Sequence, residues 1–455
     1  MSKKLFTIIL IIGISAVQTF ASGFQINENG ARAMGMSGAF VGLADDPSAV
    51  YFNPAGITQL LGTHFSIGAT FISPSTKFTG PANISLPAAL GGGKSQVYNN
   101  TESKLKSRWF TPFNVYVTHQ LGNDLFVGLG VNNPYGLGTE WDDNWVGRYK
   151  TIKAEIQTFT FEPVIAYKLL DQLSISLGGM ISYADVDLQQ KIPMADATTG
   201  AILAPDATLQ LKGNKLAYGF TAGVLYKPIN KLSLGVSFHS EIKYKFEGDA
   251  TPTYAPGVPA SPMVPHGKIT APLTTPLTLT FGAAYMIQDD WSVSADIQYT
   301  GWSSYDSLVI TFNDFQPTGK PYVSASVRDY KNNIILRLGT EVKINEKLTA
   351  RGGALYDQNP VPDARLDPTL PDANRIGLNI GLGYKITNNL SVDVAYLFLI
   401  FSKREVTNSI MEKTYVPFSL PAALGGGKIV LPETAFNGTY ETSANLIGLN
   451  LSYSL

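Results

Sequence analysis

Apolar and polar side chains alternate with a period of two in many segments of the chain. The pattern is clear at 447–455 and recurs at 173–181, 291–299 and 390–398. Such alternation predicts β-strands with one apolar face. A soluble β-sandwich and a β-barrel in lipid both produce it, so the alternation alone does not distinguish the two.

The spacing of turns favours a barrel. Short polar turns alternate with long segments rich in Pro and Gly, which is the asymmetry between the two rims of outer-membrane barrels. The tight turns lie at 122–124, 171–172, 228–230, 288–290, 345–347 and 387–389, and the long segments at about 74–108, 134–152, 191–210, 248–269, 313–329, 358–373 and 407–440. This count predicts an all-β fold: a transmembrane antiparallel β-barrel of about 14 strands over residues 63–455.

The N-terminus has the pattern of a secretory signal peptide. Lys3 and Lys4 precede an apolar run from 5 to 17, and small residues precede a cleavage position after Ala21. A transmembrane anchor is the alternative, but the run is shorter than the ~20 residues that a spanning helix needs. We predict a signal peptide over residues 1–21 and export from the cytoplasm.

Residues 22–62 do not follow the strand pattern. Residues 31–39 are small and Gly-rich, and residues 45–50 resemble the start of a short helix with acids at its N-terminus. A segment this small cannot build a core of its own. We therefore predict a hatch that plugs the barrel lumen, with a separate periplasmic helix pair as the alternative.

Composition excludes several classes of function. Lys+Arg 34 against Asp+Glu 35 leaves no basic surface for nucleic acid. Charged residues make up 15% of the chain and Cys is absent, so thiolate metal sites are excluded. The four His are scattered, and the Gly-rich stretch at 91–95 lacks the spacing of a phosphate loop. We predict no cofactor, no metal and no enzymatic activity.

One decapeptide occurs twice. The sequence SLPAALGGGK stands at 85–94 and again at 419–428, in the first and last long segments. These segments are neighbours in a closed barrel. They either flank the pore mouth as a pair of apolar elements or are a duplication without a role.

Several longer motifs resemble the FadL-type long-chain fatty acid transporters of the Gram-negative outer membrane, a family that includes transporters of aromatic hydrocarbons. The matching stretches lie at 23–25, 38–55, 133–137, 299–303, 356–362 and 371–375, and the resemblance extends over nearly the whole mature chain. The resemblance implies a fourteen-stranded barrel with an N-terminal hatch. It also implies that ligand passes from an extracellular groove to a pocket, then sideways into the membrane through a gap at a kinked third strand near 124–133.

The resemblance thus implies passive transport of hydrophobic small molecules, such as long-chain fatty acids, by a monomer that contacts outer-membrane lipid. Whether the ligand is a fatty acid or a neutral hydrocarbon stays open. A general aqueous porin is the main alternative, although a porin needs an open, charged lumen. A lipid hydrolase with a Ser–His pair on the wall is the third.

Two site assignments come from the N-terminal segment. The resemblance places Asn53, Pro54 and Ala55 beside the wall opening, where the fixed φ of proline would stiffen a gate. The alternative is a simple helix stop. It also places Phe24 in contact with the ligand, where an aromatic ring gives apolar area. The alternative for Phe24 is packing of the hatch against the wall.

Lys331 is the candidate partner of an acidic ligand. It differs in parity from Leu336 and Leu338, which we predict to face lipid, and matches Arg337 on the lumen face. A buried carboxylate without a partner is unfavourable, and an ammonium group offsets that cost. The resemblance also aligns Lys331 with a lysine that holds carboxylate. The alternative is a structural charge network with Glu341.

Overall fold

The computed structural model describes residues 23–84, 96–195, 202–262, 264–317, 319–410, 415–420, 427–430 and 436–455. The predicted signal peptide lies outside the described residues. So do the first copy of the decapeptide and the middle of the second.

Strands dominate the described chain. The short helices are α1 (Ala31–Met34), α2 (Ala49–Phe52) and 3₁₀ turns at Pro54–Gln59, Trp302–Ser304 and Asp363–Arg365. The strands are β1 (Thr63–Ile84), β2 (Gln96–Lys104), β3 (Phe113–Gln120), β4 (Leu125–Asn132), β5 (Gly136–Glu140), β6 (Lys153–Leu170), β7 (Leu173–Ala195), β8 (Ile202–Ile229), β9 (Leu232–His239), β10 (Ile242–Thr253), β11 (Gly267–Thr275), β12 (Thr278–Gln288), β13 (Trp291–Thr300), β14 (Ser307–Phe312), β15 (Tyr322–Val327), β16 (Asn333–Lys343), β17 (Leu348–Asp357), β18 (Arg375–Lys385), β19 (Leu390–Phe401), β20 (Arg404–Val406), β21 (Tyr415–Leu420), β22 (Gly427–Val430) and β23 (Gly438–Ser454).

The wall is a closed antiparallel barrel of fourteen strands, which confirms the predicted fold. Seven wall strands are continuous: β1, β6, β7, β8, β17, β18 and β23. The other seven are each broken into two segments: β2/β3, β4/β5, β9/β10, β11/β12, β13/β14, β15/β16 and β19/β20. β1 pairs with β23 from His64↔Ser454 to Thr79↔Thr439 and so closes the sheet. Closure removes the free edges that would otherwise be unpaired in lipid.

The alternation of side chains follows the two faces of this wall. On β18, Ile376, Leu378, Ile380 and Leu382 are each at least half exposed, as expected for an apolar band that contacts lipid. The residues between them are Gly377, Asn379, Gly381 and Gly383, which face the lumen. Small lumen-facing residues leave room for the hatch inside the barrel.

Several predicted loops are strands in the structure. β7 and β8 pair as far as Ala195↔Ile202, and β1 and β2 pair at Ile84↔Gln96. These extensions rise beyond the apolar band, where outward side chains no longer contact lipid. Their outward positions are therefore polar, and the alternation that marks a strand in the sequence is lost there.

Residues 23–62 fold inside the barrel, against the lumen face of the wall. Met36, Phe40 and Ile57 are fully buried there with wall residues such as Tyr116 and Phe126. Among the described residues, the helices are all too short or too polar to span a bilayer.

Polar contacts fix the hatch to the wall. The carboxylate of Asp296 accepts hydrogen bonds from the backbone N–H of Phe40 (2.9 Å) and Val41 (3.0 Å). Arg32 of the hatch pairs with Glu341 of the wall at 3.0 Å. At Gly235 the hatch approaches so closely that a Cβ atom would lie 2.1 Å from the Val41 carbonyl oxygen.

Candidate functional site

Three adjoining cavities run from the outer rim to the side wall. The outer groove, of about 200 Å³, is lined by residues from the loops and strand ends near 149–153, 188–192, 324–328 and 364–369. The apolar pocket, of about 80 Å³, follows inward, and the lateral cavity, of about 470 Å³, reaches the wall. The groove and the pocket share Leu188, Leu211, Leu308, Ile310, Arg328 and Thr369, whereas the pocket and the lateral cavity share Phe24, Leu137, Ile156 and Leu370.

Positive charge surrounds the outer groove. Lys150, Lys153, Lys191 and Arg365 line it together with Arg328. Asp367 stands among them, 3.4 Å from the Lys150 ammonium. Burial alone would raise the pKa of the Asp367 carboxyl, but the charges of Arg328 and Lys150 hold it well below its usual range. Asp367 is therefore ionised at physiological pH and pairs with Arg328 and Lys150, while the cations among the groove-lining residues still outnumber it.

Arg328 stands at the junction of the groove and the pocket. It is 6% exposed, and one terminal nitrogen donates to Asp367 at 2.6 Å. Its Nε is buried and has no hydrogen-bond partner among the described residues. A buried donor without a partner is costly, so a ligand oxygen that reached this N–H would relieve that cost.

Phe24 stands at the other end of the pocket. It is 4% exposed, and its ring packs edge-on against Trp302, Tyr305 and Tyr135, with centroid distances of 4.8, 5.9 and 6.0 Å. Phe24 lines both the apolar pocket and the lateral cavity, as do Leu137, Ile156 and Leu370, so these side chains together separate the two spaces. Phe24 is the member of this group that belongs to the hatch.

The wall is interrupted beside the lateral cavity. β3 and β4 are paired up to Val115↔Val131. Further up, the next backbone–backbone hydrogen bond between the two wall strands is the Lys106 N–H donating to the Glu140 carbonyl at 2.7 Å. Below this bond, the Phe113 N–H donates to the side-chain oxygen of Asn133 at 2.8 Å. Between these points the chain leaves the sheet at 133–135, where β4 ends and β5 has not begun. The break coincides with the kink expected at the end of the third wall strand.

This interruption opens the lateral cavity toward lipid. Trp109, Phe113 and Phe159 line the cavity and are also exposed on the outer face. The N-terminal segment borders the same break, since the Ile26 N–H donates to the Pro134 carbonyl at 2.9 Å. The cavity therefore joins the lumen to the side of the barrel, with the start of the hatch at its edge.

The structure places the predicted site residues apart from one another. Phe24 lies in the path described above. Lys331 does not line any of the three cavities: its side chain is 60% exposed and pairs with Asp329. Glu341, which was the alternative partner of Lys331, pairs instead with Arg32 and Arg351.

The parity argument for Lys331 does not extend to its position. It holds within β16, where Arg337 is buried and Leu336 is exposed. Lys331 precedes β16, in a segment where Asp329 adopts a left-handed conformation with φ 49°. This turn shifts the alternation of inward and outward side chains by one residue, so that Tyr330 is buried and Lys331 is exposed.

Asn53, Pro54 and Ala55 are buried against β8 and β9 rather than beside the lateral cavity. The Asn53 amide donates to the carbonyls of Val41 (2.9 Å) and Val224 (3.0 Å), and its oxygen accepts from the Ala55 N–H at 3.2 Å. The motif thus links the hatch to the wall at one point. Their role at a gate stays a prediction.

Sequence reasoning missed Arg328. The residue lies between two predicted elements, and no alternation marks its direction. The one available signal is that Arg328 stands next to Asp329 and Tyr330, a mixed polar and aromatic group in a long segment. Its burial depends on the loop at 363–370, which supplies Asp367 and which the sequence does not place.

Comparison with known proteins agrees with this architecture. The sequence model of the family described as "Outer membrane protein transport protein (OMPP1/FadL/TodX)" matches residues 12–455. The "Long-chain fatty acid transport protein" of Escherichia coli O6:H1 is 26% identical over 435 residues, which cover 89% of this chain and 93% of that protein.

Solved structures share the fold. The crystal structure of a Pseudomonas aeruginosa FadL homologue superposes with a TM-score of 0.76 at 21% identity, covering 95% of this chain and all (100%) of the other. The Pseudomonas putida toluene transporter TodX gives a TM-score of 0.64 at 17% identity, covering 96% and 99%. The family model matches nearly the whole chain, and the protein therefore belongs to the OMPP1/FadL/TodX family of outer-membrane transport proteins.

Proposed function

We propose that this protein carries hydrophobic small molecules passively from the cell exterior into the outer membrane, with long-chain fatty acids as the leading ligand class. The observation that carries the proposal is the shared lining of the three cavities, which form one path from the outer groove to the lipid-facing wall. Ligand enters the groove, passes Arg328 into the apolar pocket, and leaves through the lateral cavity once Phe24 moves.

Charge along the path favours an acid over a neutral hydrocarbon. An acyl chain gains about 0.8 kcal/mol for each CH₂ that it buries. Its carboxylate would be costly to bury alone, and the free Nε of Arg328 offers it a charge-assisted hydrogen bond. We propose Arg328 as the residue that holds the carboxylate. For Lys331 that role stays a prediction, which its exposed position supports less well.

Phe24 contributes in two ways under this proposal. Its ring supplies apolar area to a ligand in the pocket, and its displacement opens the route to the lateral cavity. We propose that Asn53 and Pro54 act on the same step from a distance, because the Asn53 side chain ties the hatch to β8 through the Val224 carbonyl. A shift of the hatch would move the segment that carries Phe24.

The two alternative functions have less support. An aqueous porin requires a free lumen, whereas the hatch packs here against wall residues such as Tyr116 and Phe126. A lipid hydrolase requires a Ser–His pair. The partners of His64 and His266 are backbone carbonyl oxygens, and His119 and His239 lie beside the hydroxyls of Thr63 and Thr278 rather than of a serine. We propose that the protein is not an enzyme, and a lipid hydrolysis assay tests that statement.

We also propose that a single chain suffices and that its partner is membrane lipid, because the barrel closes through β1 and β23 and presents an apolar band outside.

Two measurements on the purified and the expressed protein test the transport proposal. Expression in a Gram-negative strain that lacks its own fatty acid channel should restore uptake of labelled long-chain fatty acid. In a planar bilayer the protein should give no steady ion conductance of the size seen with open porins. Absent uptake or a large steady conductance would refute it.

A further inference from the structure

The wall has a second interruption, between β11 and the strand formed by β13 and β14. β11 and β14 are paired only at Ile269↔Phe312 and Thr270↔Thr311. Lower in the wall, β12 and β13 are paired from Thr278↔Thr300 downward. Between these points no ladder pair joins residues 271–277 to residues 301–310, all of which the structure describes. We call this interruption the β11–β14 seam.

The local sequence agrees with an unpaired edge. Pro272 stands inside β11, opposite Lys245 of β10 on the paired side. Proline cannot donate to a ladder and is confined to edge strands or bulges within sheets. On the other side of the seam the chain turns into the lumen at 301–306, where Trp302 is fully buried and Tyr305 is nearly so. Two hydrogen bonds join the edges in the lower part of the seam: the Gly301 N–H donates to the Leu277 carbonyl at 2.9 Å, and the Ser304 hydroxyl donates to the Thr274 carbonyl at 3.4 Å. Above Thr274 the described edges lack ladder pairs up to Thr270↔Thr311.

The apolar pocket lies directly behind the seam. Its lining includes Ala271 and Leu273 from β11 and Leu308 and Ile310 from β14, which are the inward side chains of the two edges. In a continuous sheet these side chains would contact one another across the strands. Here they border a cavity, so that only the two unpaired edges separate the pocket from the exterior.

The height of the seam matches that of the lateral opening. Thr278 lies about ten residues above the turn at 289–290, or roughly 25 Å for a strand rise of about 3.3 Å and a tilt of about 40°. That is the height of the apolar band of outer-membrane barrels. The break after β4 lies about nine residues above its own turn. The seam therefore begins at the outer surface of the hydrocarbon layer and rises above it, because residues 271–277 lie further from the turn than Thr278.

A third interruption of the wall, between β8 and β10, has buried side chains behind it instead of a cavity. β8 and β10 lack ladder pairs between residues 215–220 and 240–246, among the described residues. Behind that stretch stand the buried side chains of Met180 and Ile242, so close that a Cβ atom on Gly219 would lie 2.7 and 2.9 Å from them. Of these two interruptions, the β11–β14 seam is the one that has a cavity behind its edges.

We propose that the β11–β14 seam is a second side passage, through which the acyl chain of an amphiphile enters the apolar pocket from the polar layer above the outer-leaflet hydrocarbon. Unpaired backbone groups at this height can hydrogen-bond water or polar lipid groups, so the seam does not leave unsatisfied backbone in hydrocarbon. The inference rests on the proposed transport function. It adds a route that bypasses both the outer groove and the lateral cavity.

Engineered disulfides test the passage, because the chain contains no Cys of its own. Continuing the register of Thr270↔Thr311 by two residues places Pro272 opposite Val309. The variant Pro272→Cys with Val309→Cys locks the seam when oxidised. The matched control is Thr270→Cys with Thr311→Cys, which cross-links a place where the ladder is already intact. A short bis-maleimide reagent replaces the disulfide if the two edges stand too far apart.

We expect a partial loss of labelled fatty acid uptake in the oxidised seam variant, restored by reductant, and no loss in the control pair. Equal uptake by the cross-linked and reduced seam variant would overturn the inference. This outcome differs from failure of the proposed function, in which the reduced protein and the wild type would also show no uptake. A loss of equal size in the control pair would likewise overturn the inference, because rigidity of the rim would then explain it.

Discussion

Replacing Phe24 with Ala tests the path at its narrowest point. Phe24 is one of the side chains that separate the apolar pocket of about 80 Å³ from the lateral cavity of about 470 Å³. Removing its ring thins this partition and takes apolar contact away from the ligand. The barrel ladder does not include Phe24, so the wall should assemble unchanged.

The expected loss of affinity follows from contact area. If the ring gives the ligand roughly 50 Å², about a quarter of what an aromatic side chain buries, the loss at about 25 cal/mol per Å² is about 1.3 kcal/mol. That corresponds to about a tenfold rise in Kd. Fluorescence titration can measure it, because Trp302 lies 4.8 Å from the Phe24 ring and reports on the pocket.

Phe40→Ala is the matched control for this change. Phe40 belongs to the same hatch, is fully buried, and packs against Phe52 at 5.5 Å rather than lining the three cavities. It should loosen the hatch while leaving the ligand Kd near the wild-type value. Unchanged affinity in Phe24→Ala, or an equal loss in both variants, would refute the ligand contact and leave hatch packing as the role of Phe24.

Three further predictions follow from the site. Arg328→Met should weaken binding of a fatty acid by about tenfold to a hundredfold, as expected for loss of a hydrogen bond to a charged group. It should weaken binding of a neutral hydrocarbon of equal length far less. Lys331→Met should have the smaller effect on fatty acid binding, and isothermal titration with both ligands decides between the two residues. Asn53→Ala combined with Pro54→Ala should lower uptake while heat-modifiable migration on gels still reports a folded barrel; normal uptake would exclude the gate role. Burial raises the pKa of Asp372, which accepts a hydrogen bond from the backbone N–H of residue 23, to about 6. The folded state thus holds the proton of the Asp372 carboxyl more tightly than the unfolded chain does. Its contribution to the stability of the fold is therefore complete below about pH 4 and is lost as pH rises through 6. Protection of the N-terminal amides from hydrogen exchange, corrected for intrinsic rate, should fall from pH 5 to 7 in the wild type but not in Asp372→Asn.

The barrel could be predicted from the sequence because lipid imposes a strict pattern on the wall. Every second residue within the apolar band must be hydrophobic, so strands such as β18 and β23 are visible in the sequence alone. Above the band that constraint ends. β10 carries Lys243, Lys245 and Glu247 on its outer face, and it continues to Thr253, inside the Pro- and Gly-rich segment 248–269 that the sequence predicts as a loop.

The candidate site was harder to predict because loops build it. Phe24 was found through the resemblance of the N-terminus, and its place between two cavities agrees with a ligand contact. Lys331 was chosen from strand parity, which the left-handed turn at Asp329 interrupts. Such a conformation in a residue other than Gly leaves no mark in the sequence. Arg328 is buried only because the loop carrying Asp367 folds over it, a contact between distant segments.

The central claim is that ligand leaves through the side of the barrel beside β4 rather than through its periplasmic end. Extending the register of Val115↔Val131 places Phe110 opposite Gly136 across the lateral opening. The most direct measurement is uptake of labelled long-chain fatty acid by cells that express Phe110→Cys with Gly136→Cys, with the cross-link verified on gels. The account predicts that the oxidised protein takes up far less than the same protein after reduction. Uptake at the same rate in both states would contradict lateral release.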